Sequence, residues 1–195
     1  LNSVNHYISQ NDELAANKYL SDFSKLMRAV METSKQDLIS LTEELDILKI
    51  YLQLEHSRFK DKFDYTFHVD DMIDTSEIEL PPMIIQPFIE NAVWHGLRYR
   101  SEKGVLKIDI QQKNEQLQIT ISDNGIGRKK SIELKTKNQK LQNSTGMQNI
   151  ENRIAIMNEL YKMDIKVFIK DAYPDAENTG TYVEINIPKK IGKHA

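Results

Sequence analysis

The sequence predicts an α+β fold, and three features carry that prediction. The first sixty residues contain no glycine and no proline, so nothing in them breaks a long helix. From residue 63 the pattern turns to short alternating runs rich in aromatic and β-branched residues, which read as strands. Two further stretches, 86–97 and 146–161, lie among those runs and keep helical spacing. Helices segregated from a mixed sheet make an α+β domain.

In the helical half, Ala16, Leu20, Phe23, Met27 and Val30 recur at spacings of four and three, an apolar stripe along one helix. Leu41, Leu45, Leu48 and Leu52 form a second stripe. The connecting "TSKQDLIS" is polar, and Ser40 with Glu43 three residues on makes a capping-box start for the second helix. A short connection between two helices gives an antiparallel hairpin. A hairpin alone leaves its stripe half covered, so a second copy is expected to complete a four-helix bundle. Packing of the stripe on the C-terminal half of the same chain is the alternative.

In the second half, "FDYTFHV" (63–69) alternates as a strand. "VLKIDIQQ" and "QLQITISD", separated by "KNE", form a β-hairpin with one apolar and one wet face. The segment 128–145, "RKKSIELKTKNQKLQNST", has few bulky apolar residues and five lysines, the profile of a mobile loop. Met147, Ile150, Ile154, Met157 and Tyr161 then recur at helical spacing, and "IKVFIKD" and "TYVEINIP" close the chain as strands.

Composition narrows the function. At 195 residues and 39% hydrophobic, the chain has enough apolar material for one or two domains. No apolar run is long enough for a membrane span. There are no cysteines, which excludes disulfides and thiolate metal sites. A net charge of -3 gives no basis for binding nucleic acid through its phosphates. The opening "LNSVNHYISQ" starts in mid-pattern without Met or a signal peptide, as expected of a piece of something longer.

Polar residues where apolar ones are due locate the chemistry. "QPFIENAVWHGL" (86–97) reads as a core helix yet holds Glu90, Asn91 and His95. Asn91 and His95 are four residues apart, on one helical face, while Ile84, Ile85, Phe88 and Ile89 can fill the core side. Pro82 suits a first helical turn, whereas Pro87 calls for a late start or a kink. A core Asn wants a partner or a ligand, and its amide oxygen suits a hard cation such as Mg²⁺. His95 reads equally as a capping or core-edge histidine. In "SDNGIG" (122–127), Asp123 ends the apolar alternation, and Gly125 and Gly127 let the chain turn and a planar ligand approach, although Asp-Asn-Gly is also an ordinary turn signal. In "STGMQNIENRI" (144–154), Gly146 sits at a helix start, where free N–H groups favour phosphate. In "NTGTYVEINIP" (178–188), Gly180 and Thr181 open the last strand.

In this order the four stretches resemble the N, G1, G2 and G3 boxes of the ATPase superfamily shared by DNA gyrase, heat-shock chaperones, mismatch-repair proteins and sensor histidine kinases. "LPPMIIQPFIENAVWHG" resembles the signature of the LytS-type sensor histidine kinases. "LSDFSKLMRAVM" and "ISLTEELDILKIYLQLEHSRF" are similar to that family's helical segments. The likeness runs from Leu1 to Pro188. It implies a helical dimerisation hairpin followed by a Bergerat-type ATP-binding α/β sandwich with a mixed sheet.

By the same resemblance, Asn91 would hold Mg²⁺ between the phosphates of ATP, and Asp123 would accept a hydrogen bond from the adenine amine. Gly125 and Gly127 would let the base dock, the backbone at Gly146 and Met147 would meet the phosphates, and Thr181 would reach the adenine through water. Glu90 and His95 would support the phosphate region, with Glu90 and Asn91 as the catalytic pair. The family's phospho-accepting histidine lies in a segment that this sequence only begins after, and His6 is no substitute for it. Trp94 stands where many relatives carry Lys or Arg, and the second glycine box is sparse.

The expectation is a dimerisation region at 1–60 and an ATP-binding domain at 61–195. The whole would be a homodimeric kinase core, the cytoplasmic part of a membrane sensor, passing phosphate to a histidine and then to a response regulator. A degenerate, non-catalytic scaffold of the same fold is the first alternative. A serine kinase or ATPase of the superfamily is the second, disfavoured by the helical hairpin.

Overall fold

The computed structural model describes residues 12–59, 62–138 and 145–188. They form two compact units, with one stretch of chain, Thr75–Ile84, belonging to the helical unit although it follows the first strand of the other.

The helical unit is built on α1 (Glu13–Thr33) and α2 (Leu41–Arg58), which pack on each other. Asp12 caps α1 by accepting from the Ala15 N–H. Ser40 caps α2 with both halves of the expected box: Glu43 N–H donates to Ser40 Oγ at 3.2 Å, and Ser40 N–H donates to Glu43 Oε2 at 2.9 Å. Leu41, Leu45, Leu48 and Leu52 are all buried. The stripe on α1 is covered only in part: Ala16 is buried, while Leu20, Phe23 and Met27 remain 44–46% exposed.

The sequence reading did not include a small antiparallel pair, β1 (Ile39–Ser40) with β3 (Glu79–Leu80). It ties Thr75–Ile84 to the start of α2. Beside it, Glu44 is fully buried and accepts from the Met83 N–H at 2.8 Å, where Met83 holds a left-handed φ of 56°. A non-glycine residue in that region is held against a local cost, and this buried bond holds it.

The second unit is a five-stranded mixed sheet in the order β2 (Phe63–Val69), β4 (Gly104–Lys113), β5 (Gln116–Asp123), β7 (Thr181–Pro188), β6 (Lys166–Lys170). Only the β2–β4 pair is parallel. β4 and β5 form the expected hairpin, turning through Asn114 at φ 56°. The inward residues come into rows across the sheet: Ile110, Ile119 and Ile185 in one, Ile108, Ile121 and Val183 in the next. The other face is wet, carrying for example the His68–Asp109 pair and the Tyr182–Glu184–Asn186 hydrogen bonds.

Two expectations need correction. Residues 128–138, read as the first part of a loop, form helix α4 (Arg128–Asn138). Its composition is polar but lacks glycine and proline, and Lys, Glu and Leu all propagate a helix well. Pro82 does not occupy a helical first turn: it lies in the turn before α3 (Gln86–Asn91), and Pro87 takes the N-terminal position instead. The helix α5 (Thr145–Tyr161) then leads to β6, with the Asn158 side chain bonded to both the N–H and the carbonyl of Ile165.

Candidate nucleotide site

Helix α3 does not run on as a regular α-helix. From Ala92 to Gly96 it widens into a π turn, then tightens to a 3₁₀ turn at Leu97–Tyr99. Such a widened turn is rare, and single ones cluster at functional sites. It falls on the stretch that carries the polar residues: Asn91 opens it and His95 lies inside it. Ile84, Ile85, Phe88 and Ile89 are all buried, as their spacing predicts.

The strand end that meets this helix is β5. Asp123 is in phase with Leu117, Ile119 and Ile121, so its carboxylate occupies a place in the inward row where an apolar side chain is due. It is 2% exposed. Its Oδ1 accepts from the Gly125 N–H at 2.7 Å, and the amide and hydroxyl of Thr181, its partner on β7, also hydrogen-bond to it. Burial outweighs these bonds and pushes the carboxyl up to about 7 from the ordinary 3.8. A carboxyl held in such a state is a marker of a binding or catalytic site.

The turn after Asp123 is clamped from several sides. The Asn124 side chain accepts from the Val105 N–H at 2.7 Å, and the Asn124 backbone N–H donates to the Val105 carbonyl at 3.2 Å. Arg100 Nη1 donates to the Asn124 carbonyl at 2.5 Å. The Ile126 N–H donates to the Gly96 carbonyl at 3.3 Å, joining the turn to the end of the π segment. A Cβ on Gly125 would stand 2.6 Å from Gly96 Cα, so glycine at 125 is required by this helix contact. Gly127 has φ 84°, a conformation that only glycine adopts without strain.

Between α3 and the sheet lies a cavity of about 400 Å³. Asn91, His95, Asp123, Gly127 and Thr181 all line it, which brings together five of the residues that the sequence nominated. The walls beside Asp123 are apolar, from Phe88, Ile121, Ile169 and Val183. This is the usual make-up of a small-molecule site: apolar walls with a few placed polar groups. The Asn91 amide is half-buried and has no hydrogen-bond partner among the described residues.

Glu90 is exposed, is absent from the lining, and accepts from Gln86 Nε2 at 3.1 Å. Trp94 is half-buried with the Arg98 guanidinium 5.1 Å over its ring. Gly146 and Met147 fall in the first turn of α5, but their surroundings lie outside the described residues. Among the lining residues that the sequence did not single out are three charged ones: Lys129, and Arg128 with Asp171, which are joined by hydrogen bonds of 3.1 and 3.0 Å. Asp171 had a signal available, since it follows Val167 and Ile169 in the inward phase of β6 just as Asp123 follows Ile119 and Ile121. Among the described residues no group of three or more His, Cys, Asp or Glu could hold a metal, and no helix is long and apolar enough to cross a membrane.

Comparison with known proteins bears on what the cavity holds. Residues 80–191, which contain every lining residue, match the family of histidine kinase-, DNA gyrase B-, and HSP90-like ATPases. The chain belongs to that family. Residues 1–63 match the histidine kinase family. Among curated relatives, the chain is 32% identical to Sensor protein LytS of Oceanobacillus iheyensis over 94% of its own length and 31% of that protein's. It is 28% identical to Sensor histidine kinase YpdA of Escherichia coli over 80% of its length and 27% of that protein's. The chain thus spans about a third of the length of the relatives it matches. Its fold is similar to a mycobacterial sensor histidine kinase, MprB (TM-score 0.51, 15% identity, 79% of this chain and 97% of that one). It is likewise similar to the histidine kinase domain of a blue-light activated kinase from Erythrobacter litoralis (TM-score 0.50, 16% identity, 90% and 75%).

Proposed function

We propose that this chain is the ATP-binding kinase core of a bacterial two-component sensor histidine kinase. The observation that carries the reading is the convergence of Asn91 and Asp123 on one cavity, with Asp123 buried at a strand end between apolar walls. ATP fits the chemistry of that cavity. The apolar side chains cover a planar base, and ionised Asp123 accepts from the adenine amine, where guanine would present a carbonyl acceptor instead. Thr181, already hydrogen-bonded to Asp123, would share a water with the base.

In the same cavity, the unpaired Asn91 amide would supply an oxygen ligand for Mg²⁺, whose remaining ligands would be phosphate oxygens and water. Bound there, Mg²⁺ would offset the charge on the phosphates. His95 lines the same region and supports the phosphates. Glu90, exposed and one residue before Asn91, acts on the reaction from outside the cavity lining. Gly146 and Met147 keep the phosphate-facing role that the sequence resemblance assigns to their backbone.

The chain's contribution to transfer is positioning and charge placement. The γ-phosphate passes to a histidine, then to an aspartate of a response regulator. Residues 1–60, together with Thr75–Ile84, serve as the dimerisation region, and the rest of 61–195 as the ATP-binding domain. Support for the dimer comes from the half-exposed Leu20, Phe23 and Met27, which a second copy would cover. The relatives named as sensors support a place on the cytoplasmic side of a membrane protein.

Isothermal titration of the chain with a non-hydrolysable ATP analogue and Mg²⁺ tests the reading. Wild type is expected to give a binding isotherm that weakens sharply when Mg²⁺ is withheld. Asn91→Asp, which puts a second negative charge near the phosphates, should lose at least tenfold in affinity. An isotherm of equal strength for both proteins would sink the assignment, and no heat at all would favour a scaffold.

A further inference from the structure

Asp171 is a second inward-facing carboxylate at the same end of the sheet as Asp123. β6 and β7 pair Ile169 with Val183 and Lys170 with Tyr182, so Asp171 comes level with Thr181. On its other side, Thr181 pairs with Asp123. The two acids therefore flank Thr181 from neighbouring strands, about 10 Å apart across two strand spacings. Both line the one cavity.

The Asp171 carboxylate is oriented by its neighbour. Arg128, the first residue of α4, gives both Nε and Nη2 to the same oxygen, Oδ1, at 3.1 and 3.0 Å. Oδ2 has no partner among the described residues. The pair is about neutral, which decides what Oδ2 can take. A phosphate would meet a carboxylate at close range, and a metal cation would find that negative charge already offset by the guanidinium. A neutral hydroxyl donor suits it best, because an ionised carboxylate is a strong hydrogen-bond acceptor.

We propose that Asp171, oriented by Arg128, binds a ribose hydroxyl of the nucleotide. The inference rests on the nucleotide reading above and extends it. The sugar lies at the far end of a nucleoside from the exocyclic amine, and Asp171 lies two strands from the carboxylate that takes the amine. Arg128 acts here as a positioning residue, and Asp171 as a ligand contact that sets preference for a ribonucleotide.

Calorimetric titration of wild type, Asp171→Ala and the double variant Arg128→Met/Asp171→Ala with ATP, 2′-deoxy-ATP and 3′-deoxy-ATP tests this. Wild type should bind ATP about tenfold more tightly than one of the deoxy analogues, the scale of one charge-assisted hydrogen bond. Asp171→Ala should lower ATP to the level of that analogue while leaving the analogue's own affinity unchanged. The double variant, with no unpaired guanidinium left behind, should show the same loss of discrimination. Equal binding of all three nucleotides by wild type would overturn the proposal, as would an equal loss for all three in Asp171→Ala, which would mark the ion pair as an anchor for α4. Failure of wild type to bind any of them would instead overturn the nucleotide reading itself.

Discussion

The inward face of the five-stranded sheet contains two kinds of row. The rows of Ile110, Ile119, Ile185 and of Ile108, Ile121, Val183 are apolar, pairing like with like across three strands. The last row runs Leu106, Asp123, Thr181 and then Asp171 just past the end of β6, polar at three of its four positions while still facing inward. The same alternation thus delivers both, and the strand period decides which way a residue faces, regardless of whether burial suits it. The apolar rows gain from burial. The polar row pays for it, as the upward shift of Asp123 records, and a domain keeps such a row where it binds something.

The largest expected effects separate the two rows by which property fails. Ile119→Ala removes a fully buried side chain from the middle row and should cost about 3 kcal/mol of unfolding free energy, read by urea denaturation. Ile119 does not line the cavity, so the folded protein should bind ATP with unchanged affinity. Asp123→Asn should do the reverse. Losing the ionised acceptor should weaken ATP binding on the order of a hundredfold, while the ligand-free protein becomes roughly 1–3 kcal/mol more stable at pH 8, because no charge is buried. A drop in stability for Asp123→Asn would break the contrast.

Titration sharpens the same contrast one pH unit at a time, in steps smaller than the loss at Ile119. The folded-state pKa of Asp123, about 7, lies above the ordinary 3.8. Between those values the folded chain holds a proton that the unfolded chain has released. Its contribution to stability therefore falls as pH rises from about 4 to about 7, by up to roughly 1.4 kcal/mol per pH unit, and levels off beyond. Denaturation of wild type and Asp123→Asn across that range should differ by this slope. Parallel curves would show that Asp123 is ionised throughout.

Much of this was legible in the sequence where the cause is local or periodic. The α2 start was legible because a capping box is a four-residue device, and both of its bonds form at Ser40 and Glu43. Asp123 stood out because an acid interrupts three inward apolar positions. Asp171 interrupts only two, directly after a short strand, where an aspartate reads as the start of a turn. Helix α4 was hidden because its lysines and polar residues match the composition of a loop, and only the absence of breakers argues otherwise. The β1–β3 pair, two residues on each strand, is too short to leave a period and depends on contacts 39 to 41 residues apart in sequence. The stripes on α1 and α2 look alike in sequence, yet only that of α2 is covered within one chain. Periodicity marks an apolar face and is silent on what covers it.

The smallest expected effect concerns how the polar row is held. Arg100 lies outside the cavity lining, and its side chain is only 12% exposed. Nη1 donates to the carbonyl of Asn124, directly after Asp123, while the Val105 backbone fixes Asn124 from the other side. Arg100→Met keeps much of the packing volume but leaves that carbonyl without its charged donor. The turn should loosen and the Asp123 carboxylate with it, weakening ATP binding about fivefold, or roughly 1 kcal/mol. Arg100→Lys, which retains a cationic donor on a shorter reach, should recover part of the loss. If Arg100→Met instead behaved like Ile119→Ala, losing stability with affinity intact, the clamp on Asn124 would belong with the apolar rows, and the positioning of Asp123 would rest on Gly125 and Thr181 alone.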